Sequence, residues 1–316
     1  RYNMNYKQII ERLKKILPSA KLPTRILFET ADDCLYIKLC GRGVVANMQT
    51  DESAFEGWAI MLKSALPNIQ KVVLDWENPV FNADKKTAQQ AHYNRFIMRV
   101  SNFKQAYSWF NIAEDRIPEV NKMQKLLESK TIVVNFPQRD CNPVTDPNKK
   151  PEAVLERKLV ELWKKTSPVT DEQLPVGLFR NGKVSKENTL TPRGASQIDL
   201  WQLDNDTMRI YELKVKGNEA IGIISELMFY VCTIKNIVDG LIKYPDVSNV
   251  KSYRHFKDFV NAVTNKDIKS VIGYFTAPRL HPLLESPKLN DTILEILNAN
   301  SFDIRFEIYN ISHLTE

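Results

Sequence analysis

A chain of 316 residues has room for one large domain or two of ordinary size, and 43% hydrophobic with 26% charged residues is the make-up of a water-soluble globular protein. No apolar run approaches the roughly 18–20 residues that cross a bilayer, which excludes a helical membrane protein, and the polar opening Arg1-Tyr2-Asn3-Met4 is not that of a signal peptide. The net charge of +6 is unevenly spread: residues 1–150 carry 23 Lys and Arg against 16 Asp and Glu, residues 151–316 carry 21 against 22, and a basic front half suits a polyanion such as nucleic acid.

Taken in chain order, Tyr6 to Leu17 has apolar residues at helical spacing and is stopped by Pro18. Strands are expected at Arg25–Glu29, Cys34–Leu39 and Val44–Met48, with Asp32-Asp33 and Gly41-Arg42-Gly43 as the turns. A helix over Glu52–Leu66 takes Asp51 as its N-cap, and Val72–Trp76 reads as a buried strand. The segment 87–112 fits helical faces better than strands, and its aromatics (Tyr93, Phe96, Phe103, Tyr107, Trp109, Phe110) suggest a subunit interface in a homodimer as one alternative. Pro118–Ser129 reads as a helix and Thr131–Phe136 as a strand, which makes residues 1–136 a small α+β unit. Four prolines over 137–151 block both helix and central strand and mark a linker.

Beyond the linker, Glu152–Lys165 carries an apolar stripe (Val154, Leu155, Leu159, Leu162, Trp163) on one helical face. Then come a strand over Val176–Arg180, a polar loop over Gly182–Gly194, and two strands, Gln197–Leu203 and Met208–Lys216, joined by Asp204-Asn205-Asp206. Helices at Glu219–Ile237 and Ser252–Thr264, a strand at Lys269–Phe275, a helix at Leu289–Asn300 and a strand at Phe302–Tyr309 complete the order α-β-β-β-α-(α)-β-α-β, an α/β sheet with helices on its faces.

The four cysteines (Cys34, Cys40, Cys141, Cys232) have no CxxC spacing, and the four histidines (His92, His255, His281, His313) show no paired spacing. Neither a zinc site nor a disulfide framework is indicated, which fits a reducing, cytoplasmic setting.

One constellation carries chemistry. Period-2 alternation puts Asp199 on the face opposite Ile198 and Leu200, and puts Ile210, Glu212, Lys214 and Lys216 on one face of the next strand. A carboxylate and an ammonium thus stand about 7 Å apart along one strand, two rises of roughly 3.3 Å, and hairpin pairing brings Asp199 towards Glu212. Charged groups among apolar strand neighbours must be paired, solvated or metal-bound, and two adjacent carboxylates repel unless a cation lies between them. Carboxylates and a backbone carbonyl suit Mg²⁺ or Mn²⁺, and a lysine beside them orients water and stabilises developing charge. Glu-x-Lys by itself is unspecific: it recurs at Glu128/Lys130 and Glu156/Lys158 on helix-like segments, and a salt-bridge ladder on a sheet face is the plainer alternative.

Glu156 on a helix, Ile198-Asp199, Glu212-Leu213-Lys214 and a following helix with Glu226 and Tyr230 together resemble the PD-(D/E)XK, or restriction-endonuclease-like, superfamily over about residues 152–310. The resemblance implies a nuclease domain, αβββαβ with an extra αβ. In it Asp199 and Glu212 are metal ligands, Leu213 lends its carbonyl, Lys214 is the catalytic lysine, and Glu156 binds metal directly or through water. Glu226 and Tyr230 match the place where many members keep a Gln and a Tyr. The usual Pro before the Asp is replaced by Ile198, and Glu226 stands where the Gln is usual. Arg193, Lys216 and Asn218 are candidate contacts to the nucleic-acid backbone. The expected function is hydrolysis of DNA or RNA phosphodiester bonds; the alternative is an inactive nuclease fold that binds nucleic acid or protein.

Overall fold

A computed structural model describes residues 3–135, 151–192, 196–217, 219–244 and 255–315. In chain order its main elements are α1 (Tyr6–Ile16), β1 (Ile26–Ala31), β2 (Cys34–Leu39), α2 (Phe55–Ala65), β3 (Lys71–Trp76), α3 (Lys86–Ala106), β4 (Phe110–Ile112), α4 (Ile117–Glu128), β5 (Ile132–Val134), α5 (Pro151–Trp163), β6 (Thr170–Pro175), β7 (Leu178–Phe179), β8 (Gln197–Asp204), β9 (Thr207–Leu213), α6 (Gly222–Val238), β10 (Ile242–Lys243), α7 (Phe256–Thr264), β11 (Ser270–Ala277), α8 (Pro282–Glu285), α9 (Asn290–Asn298), β12 (Ile304–Asn310) and α10 (Ser312–Thr315). The class is α/β. Among the described residues no helix is long and apolar enough to cross a membrane.

The chain divides into two compact units. The first takes Arg1–Lys125, Glu219–Glu226 and Leu280–Phe302; the second takes Leu126–Asn218, Leu227–Arg279 and Asp303–Glu316. This differs from the sequence expectation of one boundary near 137–151. Two segments from beyond residue 152 pack with the front of the chain, α9 against α2 among them, and sequence periodicity carries no information on such long-range packing. Residues 137–150 of the expected linker lie outside the described residues, and Pro151 opens α5, where its missing N–H costs no helix hydrogen bond.

In the first unit β1 and β2 pair antiparallel across a turn with Asp32 at φ +53°, while β3 and β4 add in parallel, giving the order β1-β2-β3-β4. Helix α1 starts in a capping box: Asn5 accepts from the Gln8 N–H and the Gln8 side chain accepts from the Asn5 N–H. The expected strand over Val44–Met48 is instead a 3-10 turn at Gly43–Val45. Its valines are buried without joining a ladder, so an apolar run alone misled. Helix α2 begins at Phe55 rather than Glu52, and Ala54, not Asp51, precedes it without a side-chain cap. The ambiguous segment is the 21-residue α3 followed by β4. Apart from the half-buried Trp109, its aromatics are core rather than surface. Phe55 packs against Phe96, Phe103 and Phe110 at ring-centroid distances of 5.7, 5.8 and 5.8 Å, and Phe96, Phe103, Tyr107 and Phe110 are all buried, which removes the basis for a homodimer through them. Buried with them, the Arg99 Nε donates to Glu56 Oε1 at 2.8 Å and the Ser225 hydroxyl to Glu56 Oε2 at 2.7 Å.

The second unit is built on a five-stranded mixed sheet, β12-β11-β9-β8-β6. The meander β6–β8–β9 is antiparallel throughout, and β11 and β12 follow in parallel to β9. The β8–β9 turn holds Asn205 at φ +52°, a conformation its short amide side chain tolerates. Helix α5 covers one face through Leu159, Val160 and Trp163, which pack with Leu200, Tyr211 and Leu213. The sequence reading missed β6 and placed a strand at Val176–Arg180; the structure has only the two-residue β7 there, paired with β5.

Helix α6 passes close to β11 at Gly273. A Cβ there would lie 2.6 Å from Val231 Cγ2 and 3.1 Å from Leu227 Cδ1. Val231 is β-branched and helix-bound, so it has essentially one rotamer and cannot step aside. Gly273→Ala is therefore expected to destabilise by about 1–3 kcal/mol through overpacking, outweighing the roughly 0.5–1 kcal/mol that removing a strand glycine returns. Urea unfolding of the two proteins measures the difference.

Candidate active site

The side chains singled out in the sequence are positioned by the paired edges of β6, β8 and β9 and by α5. The β8–β9 ladder runs from Asp204–Thr207 to Leu200–Tyr211. Its next row holds Asp199 and Glu212, on the face shared with Trp201 and Ile210, because directly opposed residues of an antiparallel pair point the same way. Beyond this row a side chain takes over from the ladder. The Leu213 N–H donates to Asp199 Oδ2 at 2.9 Å, while on the other side the Lys214 N–H donates to the Thr276 carbonyl of β11 at 2.9 Å. Asp199 thus sits where β8 and β9 part, tied to the backbone of the neighbouring strand.

Strand β9 ends at Leu213, short of the expected Lys216. Lys214 nevertheless reaches the site: its Nζ lies 2.5 Å from Glu212 Oε1, and both residues are buried, at 6% and 2% exposure. The lysine's four-carbon stem bridges the two-residue spacing. An ion pair so far out of water is costly unless its geometry is good or the site has a purpose.

The acid from α5 arrives from the other side. Glu156 is 5% exposed, and its Oε2 accepts from Gln173 Nε2 at 2.6 Å. Burial, and then the negative charge of Asp199, push its carboxyl up to about 9, against the pull of the Gln173 hydrogen bond. The proton therefore stays on Glu156 at neutral pH, which relieves the repulsion between the two acids. Next to it, Arg157 pairs with Glu172 Oε1 at 2.5 Å.

Gln173 escaped the sequence reading because its strand did. Thr170-Asp171-Glu172-Gln173-Leu174-Pro175 lacks the apolar alternation that marks a strand. The β6–β8 ladder pairs Glu172 with Leu200 and Leu174 with Ile198, so Gln173 shares the transverse row of Asp199 and Glu212. It holds φ +56°, rare for a residue other than glycine and costing on the order of 1–3 kcal/mol.

The remaining candidates have the following surroundings. Glu226, expected to point into the site, accepts a hydrogen bond from Gln49 Nε2 within the first unit. Tyr230 is buried one turn further along α6, its ring 5.7 Å from that of Phe229. Lys216 is exposed in a turn beside Gly217 at φ +93°, not on the strand face. Arg193 and Asn218 lie outside the described residues.

The donor chemistry suits a hard divalent cation: Asp199 and Glu212 in one row, with the Leu213 carbonyl between Glu212 and Lys214 in the chain. Among the described residues, however, no three His, Cys, Asp or Glu side chains converge as a ready metal-binding group. As arranged, Lys214 neutralises Glu212, and the proton neutralises Glu156. No family model matches the chain, and neither does any curated protein or solved structure.

Proposed function

We propose that this chain is a metal-dependent nuclease that hydrolyses phosphodiester bonds in DNA or RNA, with a restriction-endonuclease-like, PD-(D/E)XK, core in residues 152–316. The observation that carries the reading is the row formed by Asp199 and Glu212 on adjacent strands, with the Lys214 ammonium in contact with Glu212. The element order α5, the β6–β8–β9 meander, α6 and then a parallel β11 accords with it.

In this reading Asp199, Glu212 and the Leu213 carbonyl hold Mg²⁺ or Mn²⁺, and Glu156 joins them directly or through water. When bound, such an ion polarises a phosphoryl oxygen and makes water a better nucleophile at neutral pH. Lys214 orients the attacking water and donates to the negative charge that builds on the phosphoryl oxygens. The basic first half of the chain attracts the polyanion, a sequence-independent, salt-sensitive contribution.

A second reading, a nuclease fold that binds nucleic acid without cutting it, is favoured by the buried Glu212–Lys214 pair, in which the lysine already engages one oxygen of the carboxylate. Incubation with circular and linear, single- and double-stranded DNA and with RNA, in Mg²⁺, Mn²⁺ or EDTA, separates the two. Asp199→Asn is the matched control, since its amide oxygen can still accept from the Leu213 N–H. Cleavage in Mg²⁺ or Mn²⁺ that falls to background in EDTA and in Asp199→Asn is the expected result. Retained binding with no cleavage of any substrate establishes the second reading instead.

A further inference from the structure

Eight non-glycine residues among those described have positive φ, and seven of them close turns or flank helices and strands; Gln173 alone lies inside a strand. Regular alternation would set its side chain with Asp171 and Pro175, facing away from α5, since Glu172 and Leu174 pair with Leu200 and Ile198 on the face that α5 covers. The left-handed backbone turns it back, and its amide donates to the Glu156 carboxyl of α5 at 2.6 Å. From this geometry we infer that Gln173 is a positioning residue that holds Glu156 beside Asp199 for metal binding. The inference rests on the nuclease reading and assigns that site a member outside the Asp, Glu and Lys set.

The chemistry of the pair supports it. A glutamine amide orients the carboxyl group without bringing a positive charge of its own, whereas an arginine at hydrogen-bonding distance would compete with a divalent ion. The nearest arginine along α5, Arg157, is instead engaged by Glu172, the residue just before Gln173. β6 is the edge strand of its sheet, so a departure from strand geometry at Gln173 disturbs the ladder on one side only.

Glycine adopts φ near +56° without steric cost, so Gln173→Gly removes the amide while relieving the backbone. A merely structural glutamine predicts a lower thermal midpoint and no specific effect on metal. The positioning role predicts a midpoint at or above that of the wild type, with Mn²⁺ affinity in the full chain, measured by titration calorimetry, reduced about 10–100-fold, the usual scale for partners that orient a ligand. It also predicts coupling: in a Glu156→Gln background, itself weaker but measurable, Gln173→Gly changes Mn²⁺ affinity by less than about twofold. On any substrate cleaved, kcat falls with KM little changed. Wild-type Mn²⁺ affinity in Gln173→Gly, or an equal loss in both backgrounds, overturns the inference and leaves the nuclease reading standing. A wild-type chain that takes up no Mn²⁺ overturns both.

Discussion

Lys214→Ala is expected to lower single-turnover cleavage by about 10²–10³-fold, the usual cost of removing one group that stabilises transition-state charge, and at the same time to make the metal-free protein less stable. The second effect follows from burial. Glu212 is 2% exposed and its Oε1 lies 2.5 Å from the lysine Nζ, and stripping the partner from a buried charge costs about 3–5 kcal/mol. A divalent ion at the same carboxylate supplies the missing positive charge. Saturating Mg²⁺ should therefore raise the thermal midpoint of Lys214→Ala more than that of the wild type, by mass action on the folded state. The two readouts separate the roles of the lysine: a variant that cleaves at the wild-type rate but unfolds more easily would show Lys214 to be a structural counter-ion only. A variant whose midpoint does not respond to Mg²⁺ would argue that no ion binds at Glu212.

The candidate site was legible in the sequence where strand periodicity is regular. The two-residue turn between Asp204 and Thr207 leaves little freedom in register, so the shared row of Asp199 and Glu212 follows by extending the β8–β9 ladder one step past Leu200–Tyr211. What escaped depends on long-range packing. β6 is written in acidic and polar residues that tertiary packing buries, Glu172 beside Arg157 of α5 among them, and with the strand went Gln173. Lys216 was placed on a strand that stops three residues earlier, where Gly217 turns the chain. Glu226 accepts a hydrogen bond from Gln49, 177 residues away in sequence, a partner that helical spacing does not reveal. In the first unit, the aromatics of α3 show the converse. Their spacing suited an amphipathic helix, and only the tertiary fold decides that both their neighbours and they themselves are interior.

Glu156→Gln is expected to abolish or sharply reduce cleavage while making the metal-free protein more stable above acid pH. The Glu156 carboxyl is pushed from 4.5 up to about 9 by burial first and by the charge of Asp199 second, so between those values the folded state holds a proton that the unfolded chain has released. Folding stability then falls as pH rises through that window, by at most about 1.4 kcal/mol per pH unit for one group. The contribution is full below about pH 4.5 and lost as pH approaches 9. An amide at this position does not titrate, and its oxygen still accepts from Gln173. Denaturant unfolding in EDTA should give similar stabilities for the two proteins near pH 4.5 and a gap on the order of a few kcal/mol in favour of the variant near pH 8. Metal binding should show the opposite sign. If Glu156 coordinates the ion it must first lose its proton, so wild-type Mn²⁺ affinity rises with pH up to about 9 and binding releases a proton, measurable as a buffer-dependent enthalpy. In Glu156→Gln that proton release disappears. If stability proves pH-independent in the wild type over this range, the buried carboxyl is not held neutral. If stability behaves as expected but Mn²⁺ binding releases no proton, Glu156 is a buried acid beside the site rather than part of it.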